Sequence, residues 1–177
     1  ARTNCYQHLM PETAGRFLVN SVRSAGSKIM TREGCAARMR AAPDRFRWVF
    51  TNGCFDLLHA GHVASLEAAR ALGDGLVVGL NSDRSVRALK GPARPVIPEG
   101  DRAIVLAALE CVDAVVVFAE ATPEALLDVL RPQIHAKGGD YRAEELPEYQ
   151  LVLSWGGEVH ILPLLEGRST TSILSRI

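Results

Sequence analysis

From Arg47 onward, short apolar runs rich in valine and isoleucine alternate with stretches whose apolar residues recur every three or four positions. The first pattern predicts strands and the second amphipathic helices. Their regular alternation predicts a parallel sheet covered by helices on both faces. Strands are expected over residues 48–51, 76–80, 114–118, 134–137 and 159–162. The run 76–80 is apolar throughout, as a central strand buried on both faces must be. Helices are expected over 61–72, where Val63, Leu66 and Ala69 share one side, and around Ile104, Val105, Ala108 and Leu109. Two more are expected over 122–130, with Thr122 as N-cap and Pro123 in the first turn, and over 146–155, closed by Gly156 and Gly157. The fold class is α/β, with a five-stranded parallel sheet.

Before Arg47, residues 31–42 read as a helix with Thr31 as cap and Glu33 in its first turn. Residues 1–26 show no helical pattern beyond Phe17, Leu18 and Val22 and do not begin with Met. They are set apart as an N-terminal extension of uncertain origin, leaving 27–177 as the domain. Residues 84–100 hold Gly91, Pro92, Pro95 and Pro98 and read as a loop, which carries Arg84, Arg87, Lys90 and Arg94. Such a segment is either a cationic lid or a solvated charged connection.

A chain of 177 residues fits one domain with a sizeable core. Lys+Arg and Asp+Glu both number 20, so the net charge is zero. This argues against a general nucleic-acid or membrane-surface binder, and any phosphate binding must come from a local cluster. Cys5, Cys35, Cys54 and Cys111 form no C-x-x-C pair and no zinc spacing, which fits a reducing, cytoplasmic setting. No apolar run is long enough to span a bilayer, and the N-terminus lacks a basic start followed by an apolar stretch. A soluble protein is expected.

That local cluster is Thr51-Asn52-Gly53-Cys54-Phe55-Asp56-Leu57-Leu58-His59-Ala60-Gly61-His62, which leaves a strand and enters a helix. The free N–H groups and positive dipole end of a helix start favour an anion. Gly61 allows a phosphate close to the main chain, and His59 and His62 can each donate a hydrogen bond to its oxygens. Further polar clusters, Asn81-Ser82-Asp83, Gly138-Gly139-Asp140-Tyr141 and Glu166-Gly167-Arg168, also follow expected strands. Ligands of open parallel sheets bind at these carboxyl ends. The chemistry suggested is phosphoryl or nucleotidyl transfer.

Residues 51–62, Asn81-Ser82-Asp83, Lys90-Gly91, Arg94-Pro95, Asp101-Arg102, Lys137-Gly138-Gly139-Asp140-Tyr141 and Arg168-Ser169-Thr170-Thr171 occur in order over about 28–177. Together they resemble the cytidylyltransferase-like nucleotidyltransferase superfamily, and most of all the heptose-1-phosphate adenylyltransferases, in the stand-alone form without a sugar-kinase domain. The resemblance implies a Rossmann-like α/β/α sandwich and attack of a sugar 1-phosphate on the α-phosphorus of ATP, giving ADP-heptose and pyrophosphate without a covalent enzyme intermediate. It implies catalytic roles for His59, His62, Lys90 and Arg168. Nucleotide binding falls to Thr51, Asn52, Gly53, Cys54, Phe55, Gly61, Lys137, Gly138, Gly139, Ser169, Thr170 and Thr171. Asp56, Asn81, Asp83, Arg94 and Asp140 would meet the sugar phosphate; Asp56 and Asp140 are placed to orient a magnesium ion (Mg²⁺), a substrate hydroxyl or a basic partner, and of these roles the resemblance implies magnesium. The implied partners are ATP and heptose 1-phosphate, with no nucleic acid and no membrane, in a homodimer.

Cys54 has no base beside it and reads as a packed residue, not a nucleophile. Cys111 reads as core, and His135 and His160 as core or edge histidines. Ile97 and Gly100 depart from the family pattern, where polar and acidic residues are common, and these positions bear on sugar specificity. Two other functions compete: a glycerol-3-phosphate or ethanolamine-phosphate cytidylyltransferase, and a nucleotide-binding module without turnover.

Overall fold

Among the described residues six parallel strands form the sheet, one more than the hydrophobic pattern predicts, in the order β1-β4-β3-β2-β5-β6. In this computed structural model residues 24–140 and 142–163 are described. The additional strand, β1 (Ile29–Met30), has two residues, paired with Val115 and Val116 of β4 (Ala114–Phe118). A two-residue strand leaves no period to read. The others are β2 (Trp48–Gly53), β3 (Gly75–Asn81), β5 (Ile134–Gly138) and β6 (Glu158–Leu162). All seven residues of β3 are buried.

The strands' alternation divides the core between the two faces. Val49, Leu76, Val78, Leu80, Val115 and Ile134 pack with Leu66 and Ala69 of α2 (Ala60–Arg70) and with Leu106 and Ala107 of α4 (Glu99–Ala108). Their neighbours Trp48, Phe50, Val77, Val116 and Phe118 pack on the other face. Here they meet Cys35 and Met39 of α1 (Arg32–Arg40), Leu126 and Leu127 of α5 (Glu124–Leu130) and Val152 of α6 (Tyr149–Ser154). This is the expected Rossmann-like sandwich, with period-2 side-chain alternation feeding two helical layers. Gly79 belongs to this packing, because a Cβ there would lie 2.7 Å from the Phe50 ring.

Residues 84–100 are not one loop. Asp83–Lys90 forms α3, capped by Ser82, whose hydroxyl accepts from the Ser85 N–H at 3.2 Å. The helix ends at Gly91, with φ at +93°, a conformation glycine adopts without strain. Lys90 therefore sits in the last turn of a helix, and the true loop is confined to 91–98. The pattern hid α3 because Val86 is its one buried apolar residue, while Leu89 is 51% exposed.

Other boundaries shift for local reasons. Thr122 does not cap α5: its hydroxyl donates to Glu124 Oε2 at 2.8 Å, and Pro123 occupies the cap position. Pro147 divides the stretch expected to be one helix, since it holds Leu146 extended (φ −74°, ψ 132°) between a 3-10 turn at Ala143–Glu145 and α6. Thr31 caps α1 as expected, accepting from the Gly34 N–H at 3.1 Å. Of the extension 1–26, residues 1–23 lie outside the described residues, as do Arg168, Ser169, Thr170 and Thr171.

Candidate active site

Strands β3 and β4 follow β2 on one side, whereas β5 and β6 lie on its other side. The strand order thus reverses between β2 and β5, and a crevice opens beyond their carboxyl ends, as open α/β sheets require. It encloses about 210 Å³ and is lined by Thr51, Asn52, Gly53, Cys54 and Phe55 after β2, His62, Ser65 and Leu66 of α2, and Gly138 and Leu162. The expected phosphate segment and the Lys137-Gly138 pair meet there although 85 residues separate Asn52 from Lys137. Phe55 adopts φ +44°, a region costly for a bulky side chain. Its ring lies edge-on to His62 with centroids 5.2 Å apart.

His59 occupies the N-cap position of α2 without a side-chain capping bond, and His62 follows one turn inside. Their rings stack with centroids 3.8 Å apart. Burial, then the neighbouring His59, push the pKa of His62 down to about 4, and the Leu57 main chain opposes this. His62 is therefore a neutral N–H donor at neutral pH. A phosphate brought to the helix start would favour its protonated form.

Asp56 is not among the residues that line the crevice. Its carboxylate accepts from the Arg94 guanidinium and from the N–H groups of Val96 at 2.7 Å and Ile97 at 3.0 Å, fixing the far end of the loop 91–98. Burial alone would raise the Asp56 carboxyl, but these bonds reverse the effect and hold it below the usual carboxylate range. With that side chain fully buried and three donors satisfied, Asp56 does not fit a magnesium ligand. Asp140 is exposed, and no group of three His, Cys, Asp or Glu side chains among the described residues is arranged to hold a metal ion.

Beneath this loop lies Arg102 of α4, whose side chain is 1% exposed. It donates to the carbonyls of Cys54, Ile97 (2.9 Å) and Asn81 (2.9 Å) and to Asp83 Oδ1 (2.7 Å). One guanidinium thus ties together the end of β3, the start of α3, the loop 91–98 and the phosphate segment. On the opposite side of the crevice, Lys137 Nζ donates to Asn52 Oδ1 at 3.1 Å and to Glu148 Oε1 at 3.2 Å.

Residues 50–163 match the family profile described as Cytidylyltransferase-like. The chain belongs to the cytidylyltransferase-like family. Among its curated relatives, the bifunctional protein HldE of Syntrophotalea carbinolica is 56% identical over 152 residues, covering 85% of this chain and 31% of that protein. HldE of Methylobacillus flagellatus is 60% identical over 131 residues, covering 74% and 27%. The chain spans about a third of the length of these relatives. Among solved structures, the lipopolysaccharide core biosynthesis protein from Thermoplasma volcanium is 27% identical at TM-score 0.56, covering 70% of this chain and 99% of that one. Pantoate-beta-alanine ligase from Francisella tularensis, at 12% identity and TM-score 0.53 over 84% of this chain and 72% of its own, shares the fold alone.

Within this cytidylyltransferase-like domain the candidate residues part company. Thr51 to Phe55, His62 and Gly138 line the crevice, and His59, Gly61, Lys137 and Gly139 adjoin these residues in the chain or by contact. Asn81 and Asp83 bond to Ser85 and Arg102, and Asp56 and Arg94 to each other, so these four build the frame. Lys90 is exposed, yet its charge, with those of Arg102 and Arg94, acts on the Cys54 thiol, which burial nonetheless raises. A raised thiol agrees with a packed Cys54. Arg168, Ser169, Thr170, Thr171 and Tyr141 lie outside the described residues.

Cys111 is half-buried at the edge of the core rather than inside it. Gly100, in the first turn of α4, faces open space, while Ile97 borders an apolar hollow with Leu57, Leu58, Val105 and Leu106. Two residues central to the geometry are Arg102, which the sequence offers only within the Asp101-Arg102 pair, and Glu148, which no motif contains. Arg102 had a signal, because it shares the buried stripe of α4 with Ala103, Leu106 and Ala107. Glu148 had none.

Proposed function

We propose that this nucleotidyltransferase joins AMP from ATP to a heptose 1-phosphate. A sugar-phosphate oxygen attacks the α-phosphorus and forms the new P–O bond. The bond from that phosphorus to the α,β-bridging oxygen breaks, its electron pair leaves with pyrophosphate, and ADP-heptose remains. The observation that carries this reading is the crevice at the β2/β5 reversal, where the phosphate segment, His62 and Gly138 converge. The likeness to the two HldE proteins supports heptose as the sugar.

Phosphoryl chemistry of this kind leaves little covalent work to the protein, so positioning and charge stabilisation dominate. His59 and His62 donate N–H groups to the triphosphate, and neutral His62 gains charge as the anion arrives. Lys90 and Arg168 neutralise charge on the reacting phosphates, with Ser169, Thr170 and Thr171 contributing hydroxyls and N–H groups. Arg94 and Asp140 approach the sugar phosphate. Magnesium is proposed to enter on the phosphates of ATP, with Asp140 as the carboxylate free to meet it. The reaction belongs in the cytoplasm, where ATP is supplied, and a homodimer is the proposed assembly.

Pyrophosphate release measured with ATP, CTP and GTP against a panel of sugar 1-phosphates and polyol phosphates tests the reading. ATP with a heptose 1-phosphate should turn over fastest. Faster turnover with CTP and a polyol phosphate would assign the cytidylyltransferase reaction instead.

A further inference from the structure

His135 and Lys137 stand two residues apart on β5 and so share a face with Phe50 and Asn52 of β2. The register pairs Phe50 with His135, and the two rings lie 5.6 Å apart. Against this face sits Glu148, immediately before α6 and 2% exposed. Its Oε1 accepts from His135 Nε2 at 3.0 Å and from Lys137 Nζ at 3.2 Å. Burial alone would raise the Glu148 carboxyl, but the His135 bond and the Lys137 charge hold it down to about 2, so it is a carboxylate at neutral pH.

A buried carboxylate is a poor stabilising device, since apolar packing of similar volume commonly serves as well or better. What this one does is fix a lysine. Lys137 is 22% exposed and its ammonium has a second partner, Asn52 Oδ1, on the crevice wall. An ammonium can only donate, so the Asn52 atom facing it must be the carbonyl oxygen. The two N–H bonds of the Asn52 amide are then left for an acceptor on a bound molecule. Remove the carboxylate, and the ammonium keeps one neutral partner and is free to swing; the Asn52 amide loses the restraint that sets its donor side.

We propose that Glu148 is a positioning residue for nucleotide binding, holding Lys137 against Asn52 so that the Asn52 amide presents its donors to the crevice. The inference rests on the reading of the crevice as a nucleotide site. It extends that site to a residue outside the crevice lining.

The test is calorimetric titration of the full chain with ATP, together with the KM and kcat for ATP, for wild type, Glu148→Gln, Glu148→Asp and Lys137→Met, and for Glu148→Gln combined with Lys137→Met. Glu148→Gln should weaken ATP binding and raise KM by about tenfold, the scale of one charge-assisted hydrogen bond, with a smaller change in kcat. Glu148→Asp, which keeps the charge, should lie between it and wild type. On the Lys137→Met background, Glu148→Gln should add nothing. Unchanged ATP affinity in a folded Glu148→Gln protein would overturn the proposal, as would an equal loss with Lys137 already removed. If Glu148→Gln does not unfold cooperatively, ATP affinity in Glu148→Asp decides: a value equal to that of Lys137→Met overturns the proposal, and an intermediate one supports it. A wild type that binds ATP but transfers AMP to no sugar phosphate overturns the proposed reaction and leaves the Glu148 test standing. A wild type that binds no nucleotide overturns both.

Discussion

The imidazoles of His59 and His62 stack with their planes 21° from parallel, so the two rings cannot both be charged without strong repulsion. Burial and the neighbouring ring keep His62 neutral at neutral pH, so it gains charge only against an anion. Removing one preorganised donor of developing charge costs on the order of 10²- to 10³-fold in rate. His62→Ala should therefore lower kcat by that order with a smaller change in ATP affinity. Collapse of ATP affinity with kcat retained would make His62 a ground-state binder.

Stability should fall with acid in two overlapping windows. His62 is held near 4 in the fold against an ordinary value of 6.5, so the unfolded chain binds more protons there, and a penalty grows as pH drops from 6.5 through 4. Glu148 is held near 2 against 4.5, and its contribution, present above 4.5, is lost as pH drops through 2. Denaturant titrations from pH 7 to 3 should show this decline, and His62→Gln should flatten its upper part. An unchanged slope between 6.5 and 4 in that variant would refute the assignment.

Arg102→Met leaves the carbonyls of Cys54, Asn81 and Ile97 and the Asp83 carboxylate without their shared donor. Breaking a buried ionic network by removing one member typically costs about 3–5 kcal/mol. Urea unfolding should show a loss of that size, and ATP turnover should fall as the phosphate segment loosens. A loss within 1 kcal/mol would mean the network is dispensable.

Asp56→Asn separates an anchor from a metal ligand. As an anchor, its loss should raise hydrogen exchange and proteolysis within 91–98 while the magnesium concentration for half-maximal activity stays near wild type. A large shift in that concentration with an unchanged loop would restore the metal role.

The loop expected over 84–100 contracts to 91–98, with Lys90 at its helical edge. Saturation with nucleotide and sugar phosphate together should lower hydrogen exchange in 91–98 and leave α3 unchanged, and Lys90→Ala should lose turnover but not fold. Unchanged exchange with a fully active Lys90→Ala protein would make the segment a solvated connection.

The layered fold was legible because burial on both faces of β3 and the helical stripes of α2 and α4 write their periods directly into the chain. Thr51 to His62 was legible as a candidate site because its chemistry is local: a strand end, a glycine and two histidines at a helix start. β1 was hidden by its length and α3 by having only Val86 to bury. The frame around the site was hidden for a different reason. Arg102 reaches Cys54 across 48 positions and Lys137 reaches Asn52 across 85, and no window of sequence contains both partners. Asp56 shows the same effect in reverse, since a carboxylate beside a phosphate motif looks like a ligand until Arg94, Val96 and Ile97 are seen to occupy it.

Whether the adenylyl group is transferred is decided by the fate of label from ATP. With heptose 1-phosphate, label in the α-phosphate should appear in the sugar nucleotide, and label in the γ-phosphate in pyrophosphate, in equal amounts. Label from the γ-phosphate in the sugar product, or α-label retained on the protein, would contradict direct attack at the α-phosphorus.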